Sequence, residues 1–268
     1  MSSSKTILGL VGSPNKNGRT NELVTAALAG AASAGAATEL VQMSDHVVDA
    51  CRDCMPWVCA TNLKCTYKDE GFELLSQKLL ACGALVLGTP VYWGDTSGMV
   101  RYLFIKMCRV YARTAPLKGL PALGIAIAGG SGNGLTTGLR PLYHFFRVMQ
   151  MRPLEPVPAT RFDFSQAIER AEESGRRIAG MTERRHPFES PEEGWLAYDR
   201  LPYLGEDRTG ERRLLAAIIS EAVPQERKAA IEGDLARADI LAASGHILEA
   251  QAEASKVYNS CAKLVGER

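Results

Sequence analysis

Short apolar runs alternate with helix-periodic stretches five times between residues 6 and 181, and few architectures accept that pattern. Residues 6–11, Thr-Ile-Leu-Gly-Leu-Val, are almost continuously apolar, as a strand buried on both faces must be. Further strands are expected at 38–42, 84–87 and 122–128, with an edge strand at 153–158, where proline cannot donate to a ladder. Between them lie helical patterns: Leu23, Val24, Ala27, Leu28 and Ala31; Phe72, Leu75 and Leu79; Val100, Leu103, Phe104, Met107 and Tyr111; then 136–149 and 165–181. Parallel neighbours need helical crossovers, so the predicted class is α/β, a doubly wound five-stranded parallel sheet spanning residues 1–181.

Residues 182–268 are read as a linker and a helical extension. Residues 182–210 are polar, with Pro187, Pro191 and Pro202 and no period. Helices are expected at 211–222, 225–243 and 246–265. The last carries Ile247, Ala250, Ala254, Val257, Cys261 and Leu264 on one stripe. That face must be buried, either on its own domain or in a subunit interface.

In an open α/β sheet, ligands sit beyond the carboxyl ends of the strands, which draws attention to three loops. The first, 12–21 (Gly-Ser-Pro-Asn-Lys-Asn-Gly-Arg-Thr-Asn), joins a strand to a helix N-terminus, where backbone N–H groups and the helix dipole favour a phosphate. It is not a nucleotide P-loop: five residues separate Gly12 from Gly18, and Arg19 follows. A plain turn capped by Ser13 or Thr20 is the alternative. The second, 88–98, carries Pro90, Val91, Tyr92 and Trp93, whose aromatics could stack on a planar ring or pack on the surface. Ser97 reads as a helix cap or a ligand group. The third, 129–134 (Gly-Gly-Ser-Gly-Asn-Gly), lets backbone approach a ligand closely, or is a flexible turn.

Four cysteines, Cys51, Cys54, Cys59 and Cys65, fall within fifteen residues. Thiolates crowded in one loop can close around an iron-sulfur cluster or zinc. Disulfides are disfavoured, because the chain opens Met-Ser-Ser-Ser-Lys with no apolar signal segment. Cys82, Cys108 and Cys261 read as small hydrophobes, and the four scattered histidines receive no catalytic role. Lys plus Arg total 31 and Asp plus Glu 30, a formal charge of +1. That balance offers no field for nucleic acid or anionic membrane, and no apolar run reaches transmembrane length. A cytoplasmic protein is expected.

Gly-Ser-Pro-x-x-x-Gly-Arg-Thr after the first strand, the cysteine loop after the second, Gly-Thr-Pro-Val-Tyr-Trp with Ser97 after the third and the glycine-rich loop after the fourth together resemble the iron-sulfur flavoproteins. These belong to the flavodoxin-like, NAD(P)H-dependent FMN reductase superfamily. The resemblance covers roughly residues 5–180 and has no counterpart for the helices beyond. It implies a flavodoxin-like fold and FMN, with the phosphate on Ser13, Asn17, Arg19, Thr20 and Asn21. The ring and ribityl chain would lie against Pro90, Val91, Tyr92 and Trp93 near Ser97, with Gly129, Gly130 and Gly134 closing the site. It also implies a [4Fe-4S] cluster on the four cysteines, although four residues separate the second and third cysteines where the family usually has two.

The function so implied is an oxidoreductase passing electrons from a reduced donor, NAD(P)H among the candidates, to a small-molecule or protein acceptor through FMN and the cluster. Hydride transfer to a flavin needs no side-chain acid or base, so no catalytic residue is named. A flavin or quinone reductase whose cysteines hold zinc or nothing, and a non-enzymatic electron carrier, are the alternatives. A homo-oligomer, dimer or tetramer, is also expected.

Overall fold

The computed structural model describes residues 6–55 and 58–266. The opening residues 1–5, and Pro56 and Trp57 in the gap between the second and third cysteines, lie outside the described residues. In chain order the elements are β1 (Ile7–Val11), α1 (Arg19–Ser33), β2 (Thr38–Gln42), a single 3-10 turn (Met43–Asp45), α2 (Val58–Asn62) and α3 (Glu70–Ala81). Then come β3 (Ala84–Tyr92), β4 (Asp95–Thr96), α4 (Gly98–Tyr111), β5 (Pro121–Ala128), α5 (Leu135–Val148), β6 (Arg152–Pro153), β7 (Val157–Thr160) and α6 (Phe164–Ala179). The remainder is helical: α7 (Pro191–Asp199), α8 (Arg208–Ser220), α9 (Gln225–Ala243) and α10 (Ile247–Gly266).

The strand order is β2-β1-β3-β5, with β6 and β7 sharing the fifth position beside β5, all parallel. This is the doubly wound sheet that the alternation predicts. The edge strand expected at 153–158 is split in two, since Pro153, Pro156 and Pro158 interrupt the donors a continuous ladder would need. The third strand differs more. It continues past Leu87 to Tyr92, because Thr89 and Pro90 still pair with Ala126 and Ile127 of β5. A glycine and a proline that read as loop are held extended by the neighbouring strand.

Alternating side chains send two apolar clusters to opposite faces of the sheet. Ile7, Val86 and Ile125 meet α1 and α6 on one face. Those two helices pack backbone to backbone: a Cβ on Gly175 would lie 1.9 Å from the Ala27 carbonyl oxygen. On the other face Leu8, Leu10, Leu85 and Leu87 meet α3, α4 and α5. The C-terminal helices join this second cluster through Leu214, Leu215, Ile218, Ile219, Val257, Tyr258 and Cys261.

The stripe on α10 is therefore largely covered by its own chain. Ala250, Ala254, Val257 and Cys261 are buried, so of the two covers the periodicity allows, its own chain supplies most. The segment 182–210, expected to be irregular, contains α7, whose first turn is capped by the Ser190 hydroxyl accepting from the Glu193 amide at 3.1 Å. Among the described residues no helix is long and apolar enough to cross a membrane.

Candidate functional site

The loop after β1 is anchored at both ends. Gly12 donates its amide to the Gly88 carbonyl at 2.8 Å, and Val100 packs where its side chain would be. Ser13 and Thr20 are buried, whereas Asn17 and Arg19 are exposed. Helix α1 follows Gly18, an N-cap that supplies no side-chain bond; the Asn21 amide turns back to the Gly18 carbonyl at 2.9 Å, so the amides of Arg19 and Thr20 are the ones placed to meet an anion. Arg19 lies over the Phe164 ring, 5.3 Å from the centroid, and the nearby Lys16 is neutralised by Asp45 at 2.5 Å. Asn21, expected at the phosphate, has its side chain engaged within the protein. Its side chain bonds Gln42 at 3.3 Å and Thr25 at 3.3 Å, and Gln42 in turn donates to the Ser13 carbonyl. As the third residue of α1, Asn21 braces the loop.

Ser97 is likewise a brace. Its buried hydroxyl donates to the Gly12 carbonyl at 2.6 Å and caps no helix amide, so it ties the second loop to the first. Thr89 completes the lock, accepting from Thr96 Oγ1 at 2.5 Å and from the Ser97 amide at 3.1 Å.

Beyond these anchors β3 and β4 close a two-residue hairpin through Trp93 and Gly94, at φ +53° and +71°. Positive φ at both central residues is the turn that matches strand twist, and it ordinarily selects Asn-Gly or Gly-Gly. A tryptophan there is strained, and it is also fully exposed at 105%. Packing does not account for a tryptophan held in this conformation. Tyr92 beside it is half exposed, while Pro90 is buried.

The glycine-rich loop lies against this hairpin. Gly134, at φ +85°, approaches so closely that a Cβ would lie 2.7 Å from Gly94 Cα. Gly129 and Gly130 instead have nothing within 4 Å of the position a Cβ would take. The three loops thus leave an open, backbone-lined face beside an exposed aromatic ring and an uncapped helix end. A planar ring with a phosphate tail fits these groups.

The cysteines lie elsewhere. Cys51, Cys54, Cys59 and Cys65 line one pocket of about 30 Å³ together with Lys106 and Arg109 of α4. All are free thiols. The Cys59 thiol donates to the Arg109 carbonyl at 3.9 Å, and that of Cys54 to Thr66 Oγ1 at 3.7 Å. Among the described residues no three potential ligands already stand close enough to hold a metal. Four thiols around one pocket whose wall also carries Arg52, Lys68, Lys106 and Arg109 nonetheless suit an anionic thiolate-bound centre. Arg109 is about 18 Å along α4 from Ser97, at 1.5 Å per residue. The cysteine loop therefore does not converge with the three loops above. Having left the sheet after β2, it packs on the far half of α4.

Below this pocket lies a buried ion pair. Lys106 donates to Asp69, whose other contacts are the amides of Phe72 and Asp49 at 2.9 and 3.0 Å. Burial alone would raise the Asp69 carboxyl, but the ammonium and the two amides outweigh it and hold it below the usual carboxylate range. Cys108, not among the four, is pushed up to about 11 by burial, as an inert core thiol should be.

The sequence reading did not include the groups that hold the glycine-rich loop from outside. Tyr258 of α10 donates to the Ser131 carbonyl at 2.6 Å. Glu211 of α8 accepts from the Thr136 amide and hydroxyl at 3.0 and 2.9 Å. Arg212 donates to Asn133 at 3.1 Å. No local signal marks these contacts, which join positions 75 or more residues apart.

Comparison with known proteins agrees with this geometry. An iron-sulfur flavoprotein of Methanocaldococcus jannaschii is 28% identical over 145 residues, 54% of this chain and 73% of its own length. One from Methanosarcina thermophila is 23% identical over 145 residues, 54% of this chain and 74% of its own. Among solved structures, an NAD(P)H:quinone oxidoreductase from Methanothermobacter marburgensis superposes with a TM-score of 0.53 at 16% identity, covering 69% of this chain and all of that one. An NADH:FMN oxidoreductase gives 0.51 at 17% identity, covering 70% and 98%. These two share the flavodoxin-like fold. The family model for NADPH-dependent FMN reductases matches residues 6–160, the sheet with all three loops, and the chain belongs to that family of oxidoreductases.

Proposed function

We propose that the chain passes electrons between a reduced donor and a small acceptor through bound FMN and a [4Fe-4S] cluster. The observation that carries the flavin half is the convergence of an uncapped helix end, the strained and exposed Trp93, and the open face at Gly129 and Gly130. Ser13, Asn17, Arg19 and Thr20 would hold the phosphate; Pro90, Val91, Tyr92 and Trp93 would flank the ring, and the amides of 129–130 its polar edge. Asn21, Ser97 and Gly134 act by fixing the loops. When bound, FMN supplies two-electron chemistry that can be divided into single steps, and a cluster accepts single electrons. The residues of this chain bind and orient these groups; no side-chain proton transfer is required.

The four cysteines are the proposed cluster ligands, supported by their common pocket and by the names of the archaeal relatives. Seven free cysteines suit a reducing compartment, and we place the protein in the cytoplasm. Anaerobically purified protein should release FMN, and not a dinucleotide, and should contain iron and acid-labile sulfide. Cys59→Ser should lower iron and sulfide yet keep FMN, since the flavin loops come from other strands. Replacing Arg19 and Thr20 together should do the reverse. One zinc and no sulfide would favour the second reading, a flavin or quinone reductase with a structural metal; the separation of the cysteine pocket from the flavin loops along α4 is the observation on its side.

We keep a homo-oligomer as a proposal, now resting on the half-exposed Tyr102 and Ile105 of α4 and not on α10. Charged substitutions at both should lower the mass measured by light scattering.

A further inference from the structure

Between the first turn of α5 and the segment 206–212 lies a cleft of about 590 Å³, bounded also by Asn133, Gly134 and Gln251. Its wall at Gly134 abuts Gly94 and Val91 of the tryptophan hairpin, so it adjoins the flavin face. Six charged residues line it: Arg140, Arg208, Arg212, Glu206, Asp207 and Glu211. Their formal charges cancel, but their partners do not.

Two of the three acids, Glu211 and Asp207, are engaged by helix N-termini. Glu211 takes the amide and hydroxyl of Thr136 in the first turn of α5. Asp207 caps α8 through the Gly210 amide at 2.8 Å, while the Glu206 carboxylate lies beside Gly210 and faces Arg213 outside the cleft. Partial positive charge at two helix ends offsets Glu211 and Asp207, and Arg213 faces Glu206. Among the described residues the hydrogen-bond partners of Arg140 and Arg212 are neutral. Arg140 donates to the carbonyls of Leu204, at 2.8 Å, and Glu206; Arg212 donates to Asn133 and lies over the Tyr258 ring. Arg208, exposed at the start of α8, makes no ion pair among the described residues. The adjacent Arg213, by contrast, is fully paired, with two bonds of 2.9 Å to Asp239. The cleft is therefore rich in uncompensated guanidinium donors, the geometry that recognises oxyanions.

We infer that this cleft is a binding site for a redox substrate bearing an oxyanion, a phosphate, carboxylate or sulfonate, with Arg208 and Arg212 as its recognition groups. The inference rests on the flavin site proposed above. It assigns the C-terminal extension, beyond the residues matched by the family model, a direct part in choosing the substrate. The oxyanion could belong to the donor, as the phosphates of a reduced dinucleotide, or to the acceptor.

The test uses the full-length, FMN-loaded protein and compares Arg208→Gln and Arg208→Lys with wild type; Arg227→Gln, an exposed arginine on α9, controls for net charge. Acceptor KM is measured for a neutral benzoquinone and a sulfonated naphthoquinone, and donor KM for NADH and NADPH. Loss of one charged hydrogen bond should raise KM for the anionic partner about tenfold relative to the neutral one, with partial rescue by lysine and no change in Arg227→Gln. A selective rise for the sulfonated quinone places the acceptor in the cleft, and a selective rise for the dinucleotide places the donor there. Unchanged ratios, or an equal rise for neutral and anionic acceptors, would overturn the inference. Flavin content separates the two failures: wild type without FMN defeats the proposed function, whereas full FMN with unchanged ratios defeats only this site.

Discussion

Asp69 shows how one side chain serves two structures at once. It caps α3 through the Phe72 amide, and through Asp49 and Lys106 it supports the floor of the cysteine pocket. Removing one member of a buried pair leaves the other charged and unpartnered. Asp69→Asn should therefore cost about 3 kcal/mol in urea unfolding at pH 7. Because the carboxyl is held below its ordinary range, its contribution is fully present above the unfolded carboxylate value of about 4 and is lost as pH falls through the folded one. The variant should accordingly show a shallower loss of stability between about pH 5 and pH 2 than wild type. Parallel curves would mean that the pair contributes little. At Trp93 the opposite experiment applies. Its ring is fully exposed and its φ positive, so Trp93→Gly should change stability by less than about 1 kcal/mol, relief of strain being offset by glycine's added freedom. Flavin retention should fall, and a variant that keeps FMN as tightly as wild type would remove the stacking role.

At the level of elements, the site depends on helix starts that no regular cap explains. Helix α5 begins at Gly134 in the left-handed region with no side-chain cap, and Glu211 from α8 supplies one across the chain. Gly134→Ala combines an unfavourable φ with a backbone clash at 2.7 Å, and should cost about 2 kcal/mol while displacing the tryptophan hairpin. Thermal unfolding and the near-ultraviolet tryptophan signal would read the two effects separately. Helix α7 teaches a different lesson. Its start, Ser190-Pro-Glu-Glu193, has the capping-box sequence with proline at the first helical position, Ser190 capping the Glu193 amide and the Glu193 carboxylate accepting from the Glu189 amide at 2.6 Å. That signal was legible in the sequence but was outweighed by the prolines and arginines around it.

For the molecule as a whole, the C-terminal helices are part of the core and not an appendage to it. Leu214, Leu215, Ile219 and Cys261 are buried in the same cluster as the α5 face of the sheet. Truncation after Met181 would uncover that face and release the glycine-rich loop from Tyr258, Glu211 and Arg212. The truncated chain should lose FMN, show a lower Tm and bind hydrophobic dye. A soluble truncation with unchanged Tm and full FMN would show that the extension is dispensable.

What the sequence by itself determined was the local and the periodic. Five apolar runs separated by helical stripes leave only the doubly wound sheet, because buried parallel strands need crossovers. The loop beginning Gly-Ser-Pro, the Pro-Val-Tyr-Trp stretch and the glycine run stand where such a sheet binds ligands. The four crowded cysteines likewise announce one pocket without any long-range knowledge. Only the tertiary structure decided where that pocket lies. The length of the excursion after β2 carries it to the far half of α4, a distance that spacing cannot encode. It decided too that Asn21 and Ser97 brace loops, since their hydroxyl and amide groups satisfy carbonyl and side-chain partners that sequence order does not bring near. The partner of the α10 stripe and the trans cap on α5 are decided in the same way. Periodicity shows that a face must be covered, whereas the identity of its cover depends on contacts between segments far apart in the chain.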